Sequence, residues 1–241
     1  MKKLSIIIPF LNEEKTIKTI LDKVISVNLS NLNFTKEIIL INDWSIDNSE
    51  KIILDYIKHN SKKVEFKYIE YWRNYWKWYA CKKWIEKATW DYFIIQDADL
   101  EYNPEDYKNL LKKIKSRKLD FLYGSRILWL DKYNNTYSTK YFLFWGLFIS
   151  ILTSILTFTK ITDEATCYKL FKKELKDLLI LPKENWFEWE PAITVLLLKK
   201  WFKYWEEPIN YSARSFEDWK KINWKDWIKA IYTIFKRIIF K

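Results

Sequence analysis

Apolar residues in the first half of the chain follow two alternating patterns. Short, nearly continuous apolar runs predict strands at 4–9, 37–42, 64–69, 92–95 and 120–124. Between these runs, apolar residues spaced i, i+3, i+4 and i+7 predict helices after Asn12, after Asp47, at 79–89 and at 104–116. Strands that are apolar throughout are covered on both faces, so the alternation predicts an α/β fold with a mainly parallel sheet and helices on both faces.

The second half of the chain is less regular. Residues 141–158 carry no charge, and this length is at the lower limit for a membrane-spanning helix. The run contains Gly146 and several Ser and Thr residues and is internal to a soluble-looking chain, so an interfacial or core-packed helix is favoured over a span. A helix is predicted at 187–200, a strand at 202–209 and a helix at 223–241.

The last predicted helix is amphipathic. Lysines are expected on one side of it and four apolar residues on the other, namely Ile228, Ile231, Ile234 and Phe235. Such a helix suits a membrane surface, but a terminal helix that docks on its own domain has the same pattern. We therefore expect a single domain at 1–215 and a basic amphipathic tail at 216–241 that packs on the domain or on a membrane.

Composition limits the possible functions. A hydrophobic content of 49% excludes a disordered chain, and 241 residues suffice for one sizeable domain. Lys and Arg outnumber Asp and Glu by 42 to 31, and the net charge of +11 favours an anionic partner such as nucleic acid, an acidic membrane surface or a phosphorylated substrate. No secretion-signal pattern is expected, because Lys2 and Lys3 lead straight into a strand.

The cysteine and histidine content argues against several kinds of site. Cys81 and Cys167 lie far apart without Cys-x-x-Cys spacing, so neither a disulfide framework nor a zinc site is predicted. The single histidine, His59, follows a predicted helix among polar residues, so histidine-based catalysis is not expected. These features fit a reducing cytoplasm.

Glycine and tryptophan occur in unusual numbers. The chain has 2 glycines and 15 tryptophans, whereas average usage predicts roughly 17 glycines at this length. Several tryptophans lie where turns favour glycine, namely Trp44, Trp76, Trp78, Trp186 and Trp219. We hypothesise that the gene uses UGA for glycine and that the printed translation writes tryptophan. UGG codons at positions 44, 76, 78 and 219 would refute this. The alternative is a Trp-rich surface that stacks on bases or sugars.

An acidic segment follows the strand predicted at 92–95. Asp97, Asp99 and Glu101 alternate along it, and Asn103 and Pro104 then start a helix. Carboxylates two residues apart project to one side of an extended chain, and oxygen ligands suit a hard divalent cation. Ligands of open α/β sheets bind at this end of the strands. A solvated acidic turn is the simpler alternative.

Five motifs in a fixed order resemble one enzyme family. They are Pro9 with Asn12-Glu13, Asn42-Asp43-Trp44-Ser45, Trp76-Lys77-Trp78, Asp97-Ala98-Asp99-Leu100-Glu101 and Tyr123-Gly124-Ser125-Arg126. With glycine at 44, 76 and 78, the set resembles family 2 glycosyltransferases, which have the GT-A, Rossmann-like fold. Residues 162–169, 185–190, 207–209 and 218–227 are similar to the dolichyl-phosphate mannose synthase-like branch. The resemblance therefore spans nearly the whole chain.

The resemblance implies residues that bind a nucleotide-diphosphate sugar. Pro9, Leu11 and Glu13 would line the nucleotide pocket, Asp43 would contact the base or ribose, and Lys77 lies in a loop similar to a Gly-Lys-Gly turn. The predicted donor-binding set is Pro9, Leu11, Glu13, Asp43, Lys77, Asp97, Ala98, Asp99, Arg126, Arg214 and Lys220.

The resemblance also implies a metal site. Asp97, Asp99 and Glu101 would bind Mg²⁺ or Mn²⁺, which acts as a Lewis acid on the departing diphosphate. Glu101 departs from the glutamine that close relatives often have there, and it would add negative charge. The predicted catalytic set consists of Asp97, Asp99, Asp163 and Arg126.

Basic and acidic side chains are also predicted near the acceptor. Arg126 and Arg214 would hold phosphate oxygens, since a guanidinium binds them bidentately, and Lys220 and Lys221 are further candidates. A solvated surface charge is the alternative for each. A lipid phosphate needs positioning more than deprotonation. A hydroxyl acceptor would need a carboxylate base, and Asp163 and Glu190 are the candidates.

Together these features predict a metal-dependent, inverting glycosyltransferase. It would move a hexose from a donor of the GDP-mannose or UDP-glucose type to polyprenyl or dolichyl phosphate, as a peripheral protein at the cytoplasmic face of the plasma membrane. Transfer to a hydroxyl of a glycan or glycolipid is an alternative, and a non-catalytic membrane- or nucleic-acid-binding protein is another. No nucleic-acid partner is expected for the enzyme.

Overall fold

A central sheet organises the fold. The computed structural model describes residues 1–73, 75, 77–87, 90–128, 135–136, 140–214 and 224–239. Its strands are β1 (Lys2–Phe10), β2 (Phe34–Asn42), β3 (Glu65–Glu70), β4 (Tyr92–Ile95), β5 (Phe121–Ser125), β6 (Lys169–Lys172) and β7 (Tyr204–Pro208). They form one sheet in the order β3-β2-β1-β4-β6-β5-β7.

Helices connect and cover these strands. They are α1 (Ile17–Ser26), α2 (Ser49–Asn60), α3 (Lys77–Lys87), α4 (Tyr107–Ser116), α5 (Lys140–Thr157), α6 (Lys176–Leu179), α7 (Trp189–Lys199) and α8 (Trp224–Ile239). The alternation of strands and helices along the first half confirms the predicted α/β class.

The sheet is mainly parallel, as predicted. β1 is parallel to β2 and β4, β2 to β3, and β5 to β7. β6 is the exception, because it runs antiparallel between β4 and β5. The sequence did not predict β6, since its four residues begin and end with lysine and match no strand pattern. Lys169 is nevertheless fully buried.

The predicted elements are present, with shifted ends. The helix predicted at 104–116 begins with a 3-10 turn at Pro104–Asp106, and the Asn103 side chain accepts a hydrogen bond from the Glu105 N–H at 3.2 Å. That contact confirms the predicted cap. Lys77 was predicted in a loop, but it is the first residue of α3.

The main core lies between the sheet and the helices that cover it, α1 to α4 together with α6 and α7. The apolar residues of β1, β2 and β4 are buried there, including Ile7, Ile39 and Ile94. Burial of an aliphatic side chain of this size contributes about 1.5–3 kcal/mol, so these core residues stabilise the strands that carry the site.

A second apolar cluster joins α5, α7 and α8. Ile149, Val195 and Trp227 are buried in it. The prediction that Ile234 shares one face of α8 with Ile228 and Phe235 was wrong: Ile234 is buried in the cluster, whereas the other two are exposed. The helix is apolar on more than one side, so one face packs inward and another remains at the surface.

Helix α5 is exposed for much of its length. Within the described part of the chain, it is the one helix long and apolar enough to cross a membrane by length and composition, and 17% of it is buried. The predicted boundary between residues 215 and 216 lies outside the described residues.

Candidate active site

The carboxyl ends of three neighbouring strands converge on one crevice. β1 lies between β2 and β4. After β1 the chain adds β2 and β3 on one side of it and then returns to form β4 on the other side. Ligands bind at such a switch point in open α/β sheets. The segments that follow these strands carry Glu13, Asp43 and Asp97.

A cavity of about 470 Å³ occupies this crevice. It is lined by ten of the eleven residues predicted to bind the donor, and by Glu101 as well. The predicted residues that line the cavity are Pro9, Leu11, Glu13, Asp43, Lys77, Asp97, Ala98, Asp99, Glu101, Arg126 and Arg214. Lys220 lies outside the described residues. The structure thus places residues more than 200 positions apart in one wall.

The loops after β1 and β2 hold each other in place. The N–H of Asn12 donates to Ser45 Oγ at 3.1 Å, and the N–H of Glu13 donates to Ser49 Oγ at 2.8 Å. The N–H of Ile46 donates to Asn12 Oδ1 at 2.8 Å. These contacts fix the backbone of Glu13 at the cavity wall.

Lys77 pairs with Asp97 at the cavity. Its Nζ lies 2.6 Å from Asp97 Oδ1. Although burial opposes ionisation, the Lys77 ammonium lowers the pKa of the Asp97 carboxyl. Asp97 is therefore an ionised group that a lysine already orients.

Asp99 is less well compensated. Burial and the carboxylates of Asp97 and Glu101 raise the pKa of Asp99 to about 7, and Arg214 offsets only part of this effect. Arg214 Nη2 lies 2.5 Å from Asp99 Oδ2 and 3.4 Å from Glu13 Oε1. At Asp99, Arg214 thus balances only part of the negative charge of the acidic segment.

Glu101 is turned towards the segment before Arg214. Its carboxylate accepts hydrogen bonds from the Tyr211 hydroxyl at 2.9 Å and from the Arg214 N–H at 2.9 Å. Among the described residues, no three His, Cys, Asp or Glu side chains are grouped to hold a metal ion. The predicted set of Asp97, Asp99 and Glu101 stays a prediction.

The charge at Asp99 nevertheless fits a divalent cation. Magnesium is usually bound by one or two carboxylates together with substrate phosphates and water. Asp97 and Asp99 supply carboxylates of that kind in the lining of the cavity. A cation there would relieve the repulsion that raises the pKa of Asp99.

Arg126 is held rigidly by Asp163. Its Nε and Nη2 each lie 2.7 Å from a different Asp163 oxygen, and its backbone N–H donates to Asp163 Oδ2 at 2.9 Å. Arg126 lines the cavity, whereas the buried Asp163 lies behind it. This geometry favours a role for Asp163 in orienting the guanidinium over a role as a base. Glu190, the other candidate base, does line the cavity.

The other end of the cavity is apolar, which the sequence did not predict. Its lining residues come from α5, α8 and the segments that precede β6 and α7: Phe142, Gly146, Ala165, Trp186, Phe187 and Trp227. In the sequence, the uncharged run at 141–158 indicated that this helix has an apolar surface. That this surface lies near the acidic segment depends on the packing of α5 and α8. Five of these six residues, all but Gly146, belong to the second apolar cluster. We call this part of the lining the apolar end and the part with the paired charges the charged end.

Solved structures with the same fold are glycosyltransferases. The fold resembles mannosyl-3-phosphoglycerate synthase from Rubrobacter xylanophilus with a TM-score of 0.68, at 13% identity, over 98% of this chain and 72% of that one. It also resembles a mannosyltransferase from Pyrobaculum calidifontis in complex with GDP-Man and Mn²⁺, with a TM-score of 0.61 at 11% identity, over 99% and 70% of the two chains. The fold is therefore GT-A, as predicted.

Curated relatives add sequence similarity. A dolichyl-phosphate beta-glucosyltransferase of Trichomonas vaginalis is 27% identical over 219 residues, which cover 86% of this chain and 63% of that protein. A dodecaprenyl-phosphate galacturonate synthase of Rhizobium johnstonii is 26% identical over 124 residues, covering 52% and 36% of the two chains. The chain thus spans between about a third and two thirds of these relatives. The profile described as "Glycosyl transferase family 2" matches residues 5–179, and the chain belongs to that family.

Proposed function

We propose that this protein is a metal-dependent, inverting glycosyltransferase that transfers a hexose from a nucleotide-diphosphate sugar to a polyprenyl phosphate. The observation that carries the proposal is the division of the cavity into a charged end and an apolar end. The charged end suits a diphosphate and a phosphate, and the apolar end suits the first isoprene units of a lipid. The relatives named above act on lipid phosphates, which supports the same acceptor class.

The donor would occupy the charged end. Glu13 and Asp43 are available to the base and ribose, and Lys77 and Arg214 to the diphosphate. Asp97 and Asp99 would hold Mg²⁺ or Mn²⁺, which when bound supplies positive charge to the leaving diphosphate. The proposed donor is of the GDP-mannose or UDP-glucose type.

The acceptor phosphate would be held by Arg126. The bidentate contact with Asp163 fixes the guanidinium before the phosphate arrives, so little ordering is needed at that step. An oxygen of the phosphate attacks the anomeric carbon, the bond from that carbon to the diphosphate breaks, and the configuration inverts. The attacking oxygen is already anionic, so this step needs no general base.

The lipid would reach the cavity from a membrane surface. Helices α5 and α8 pack on each other beside the apolar end, and both expose apolar side chains, including Phe144, Ile151, Tyr232 and Phe235. Lysines such as Lys229 and Lys236 on α8 and the net charge of +11 suit acidic lipid headgroups. We therefore place the protein at the cytoplasmic face of the plasma membrane.

A hydroxyl acceptor on a glycan or glycolipid is the second candidate. Glu190 favours it, because this carboxylate lines the cavity and could serve as a base. The two acceptor classes give products that differ in chemistry. Mild acid releases the sugar from a lipid phosphate product but not from an ordinary glycoside.

The test is a screen of labelled GDP- and UDP-sugars with dolichyl and undecaprenyl phosphate. Wild-type protein is expected to give a product that organic solvent extracts and mild acid cleaves, and Asp99→Ala is expected to give none. An acid-stable product would favour the hydroxyl acceptor. No product from any pair, together with no metal-dependent hydrolysis of a nucleotide sugar, would refute the proposal.

A further inference from the structure

One lysine lies inside the protein next to the cavity. Lys169 on β6 has no solvent exposure and is the one lysine of the described residues that is fully buried. Desolvating an ammonium costs several kcal/mol unless its hydrogen bonds are satisfied. A residue of this kind in a central strand therefore needs partners that hold it.

All three N–H groups of this ammonium have acceptors. Nζ donates to the backbone oxygen of Glu164, to that of Thr166 at 2.9 Å, and to Glu190 Oε2 at 3.0 Å. Nζ also lies 4.4 Å from the centre of the Tyr123 ring. Lys169 thus ties the segment before β6 to the first turn of α7.

The partners of Lys169 reach the cavity, although Lys169 does not line it. Glu190 lines the wall, and so do Ala165 and Cys167 from the segment that the ammonium holds. Among the described residues, the cations that line the cavity are Lys77, Arg126 and Arg214, and the proposed function assigns them to phosphate groups. A carboxylate facing the same space would repel a phosphate, but it suits the hydroxyl groups of a hexose, which donate hydrogen bonds.

We propose that Glu190 recognises the hexose of the donor by accepting hydrogen bonds from its hydroxyl groups, and that Lys169 is the positioning residue that holds Glu190 there. This inference rests on the proposed function, because it names the part of the site that contacts the transferred sugar. It assigns Glu190 to sugar binding and not to proton abstraction.

The test compares nucleotide sugars with the bare nucleotides. Calorimetry would measure the binding of UDP-glucose, GDP-mannose, UDP and GDP in the presence of Mn²⁺. Glu190→Gln is expected to lower the affinity for the nucleotide sugar about tenfold, as for the loss of a hydrogen bond to a charged group. The affinity for the matching nucleotide is expected to stay within about twofold of that of wild type. Glu188→Gln, two residues earlier and absent from the cavity wall, is the matched control and is expected to bind both as wild type does.

The link to Lys169 is tested by a double-mutant cycle. Lys169→Met is expected to cause the same selective loss, and Lys169→Met with Glu190→Gln no further loss, because the lysine acts through the carboxylate. Unchanged sugar-nucleotide binding in Glu190→Gln, or equal weakening of sugar nucleotide and nucleotide, would overturn the inference and leave the proposed function standing. No binding of any nucleotide sugar by wild type would refute both. If Lys169→Met does not fold, Glu190→Gln alone decides the role of the carboxylate.

Trp44 and Trp201 have a left-handed backbone conformation, with positive φ. Trp201 follows the C-cap of α7 with φ of 60°; its N–H donates to the Leu198 oxygen at 2.9 Å, and the Phe202 N–H donates to the Leu197 oxygen at 3.3 Å. These two bonds form a Schellman motif, in which this position is usually glycine. Trp201 is 90% exposed, so no packing of its side chain compensates the strain.

Trp44 has the same conformation beside the cavity. It follows Asp43 with φ of 75° and is 52% exposed. A side chain with a Cβ in this region costs roughly 1–2 kcal/mol, which glycine avoids. Trp201 was not among the positions singled out from the sequence, so it supports the glycine hypothesis independently of the motif resemblance.

We infer that the producing organism places glycine at positions 44 and 201, from UGA codons. Mass spectrometry of peptides from the natively produced protein is expected to show glycine at both positions, and tryptophan at either would overturn the inference. In protein made with tryptophan, Trp44→Gly and Trp201→Gly are each expected to raise the folding equilibrium constant about five- to thirtyfold. Trp205→Gly, in the extended strand β7, is the control and is expected to lower it. No stabilisation by Trp201→Gly would also count against the inference.

Discussion

Glu164 offers a quantitative test of the electrostatics behind the cavity. Its carboxyl is buried beside Asp163 and accepts a hydrogen bond from Thr194 Oγ1 at 2.8 Å. Burial raises the pKa of Glu164 to about 8 from 4.5, although Lys169 opposes this effect. The charged groups that face it are Lys169 on β6, Glu190 on α7 and Glu206 on β7.

The direction in which stability changes with pH follows from proton binding. Between pH 4.5 and 8 the folded state holds the proton of Glu164 more tightly than the unfolded state, so the free energy of unfolding falls as the pH rises through this window. One pKa unit corresponds to about 1.4 kcal/mol. Glu164 alone is therefore expected to remove about 2 to 3 kcal/mol of stability between pH 6 and pH 9. Asp99 and Asp106, whose pKa values burial raises to about 7 and about 6, act in the same direction.

Glu164→Gln should flatten this dependence. Gln cannot ionise, so the variant loses the contribution of Glu164 to the pH dependence of the unfolding free energy. It keeps the contributions of Asp99 and Asp106. Glu164 Oε2 has no hydrogen-bond partner among the described residues. An amide nitrogen in its place is expected to lower stability by about 1–3 kcal/mol at every pH, so the slope with pH is the informative quantity and the absolute value is not.

The assay is urea unfolding of wild type and Glu164→Gln at pH 6, 7, 8 and 9. The difference in unfolding free energy between the two proteins should shift by about 2 to 3 kcal/mol in favour of the variant from pH 6 to pH 9. Glu174→Gln, at an exposed position, is the control and should run parallel to wild type. Parallel curves for wild type and Glu164→Gln would refute the reasoning.

Three further predictions concern the proposed activity. Asp99→Asn should lower lipid-linked product at least roughly 100-fold, as when a charge-stabilising group is lost; near-normal extraction of labelled product would contradict this. Arg126→Lys keeps the charge but loses the bidentate geometry, so the KM for the lipid phosphate should rise roughly tenfold while nucleotide affinity holds; a change in nucleotide affinity alone would point to a donor role. Tyr232→Glu with Phe235→Glu should abolish flotation with acidic vesicles and spare nucleotide binding; flotation of the double variant would exclude α8 as the contact surface.

Much of the charged end of the cavity was predictable from sequence, because its residues lie close to strand ends. Pro9 ends an apolar run that predicts a strand, and Asp43 and Asp97 follow such runs. The strand ends of a parallel sheet meet along one edge. Arg214 was tied to this edge by resemblance alone. Its contact with Asp99 depends on how the chain returns after β7.

The sequence by itself determined the α/β class, most of the elements and the family, since these depend on local periodicity and on ordered motifs. Only the tertiary structure decided that β6 enters the sheet antiparallel, that Asp163 orients Arg126, and that α5 and α8 give the cavity its apolar end. It also showed that the buried Lys169 donates a hydrogen bond to Glu190. These features are contacts between residues distant along the chain, and such contacts depend on how helices and strands pack, which local pattern does not specify.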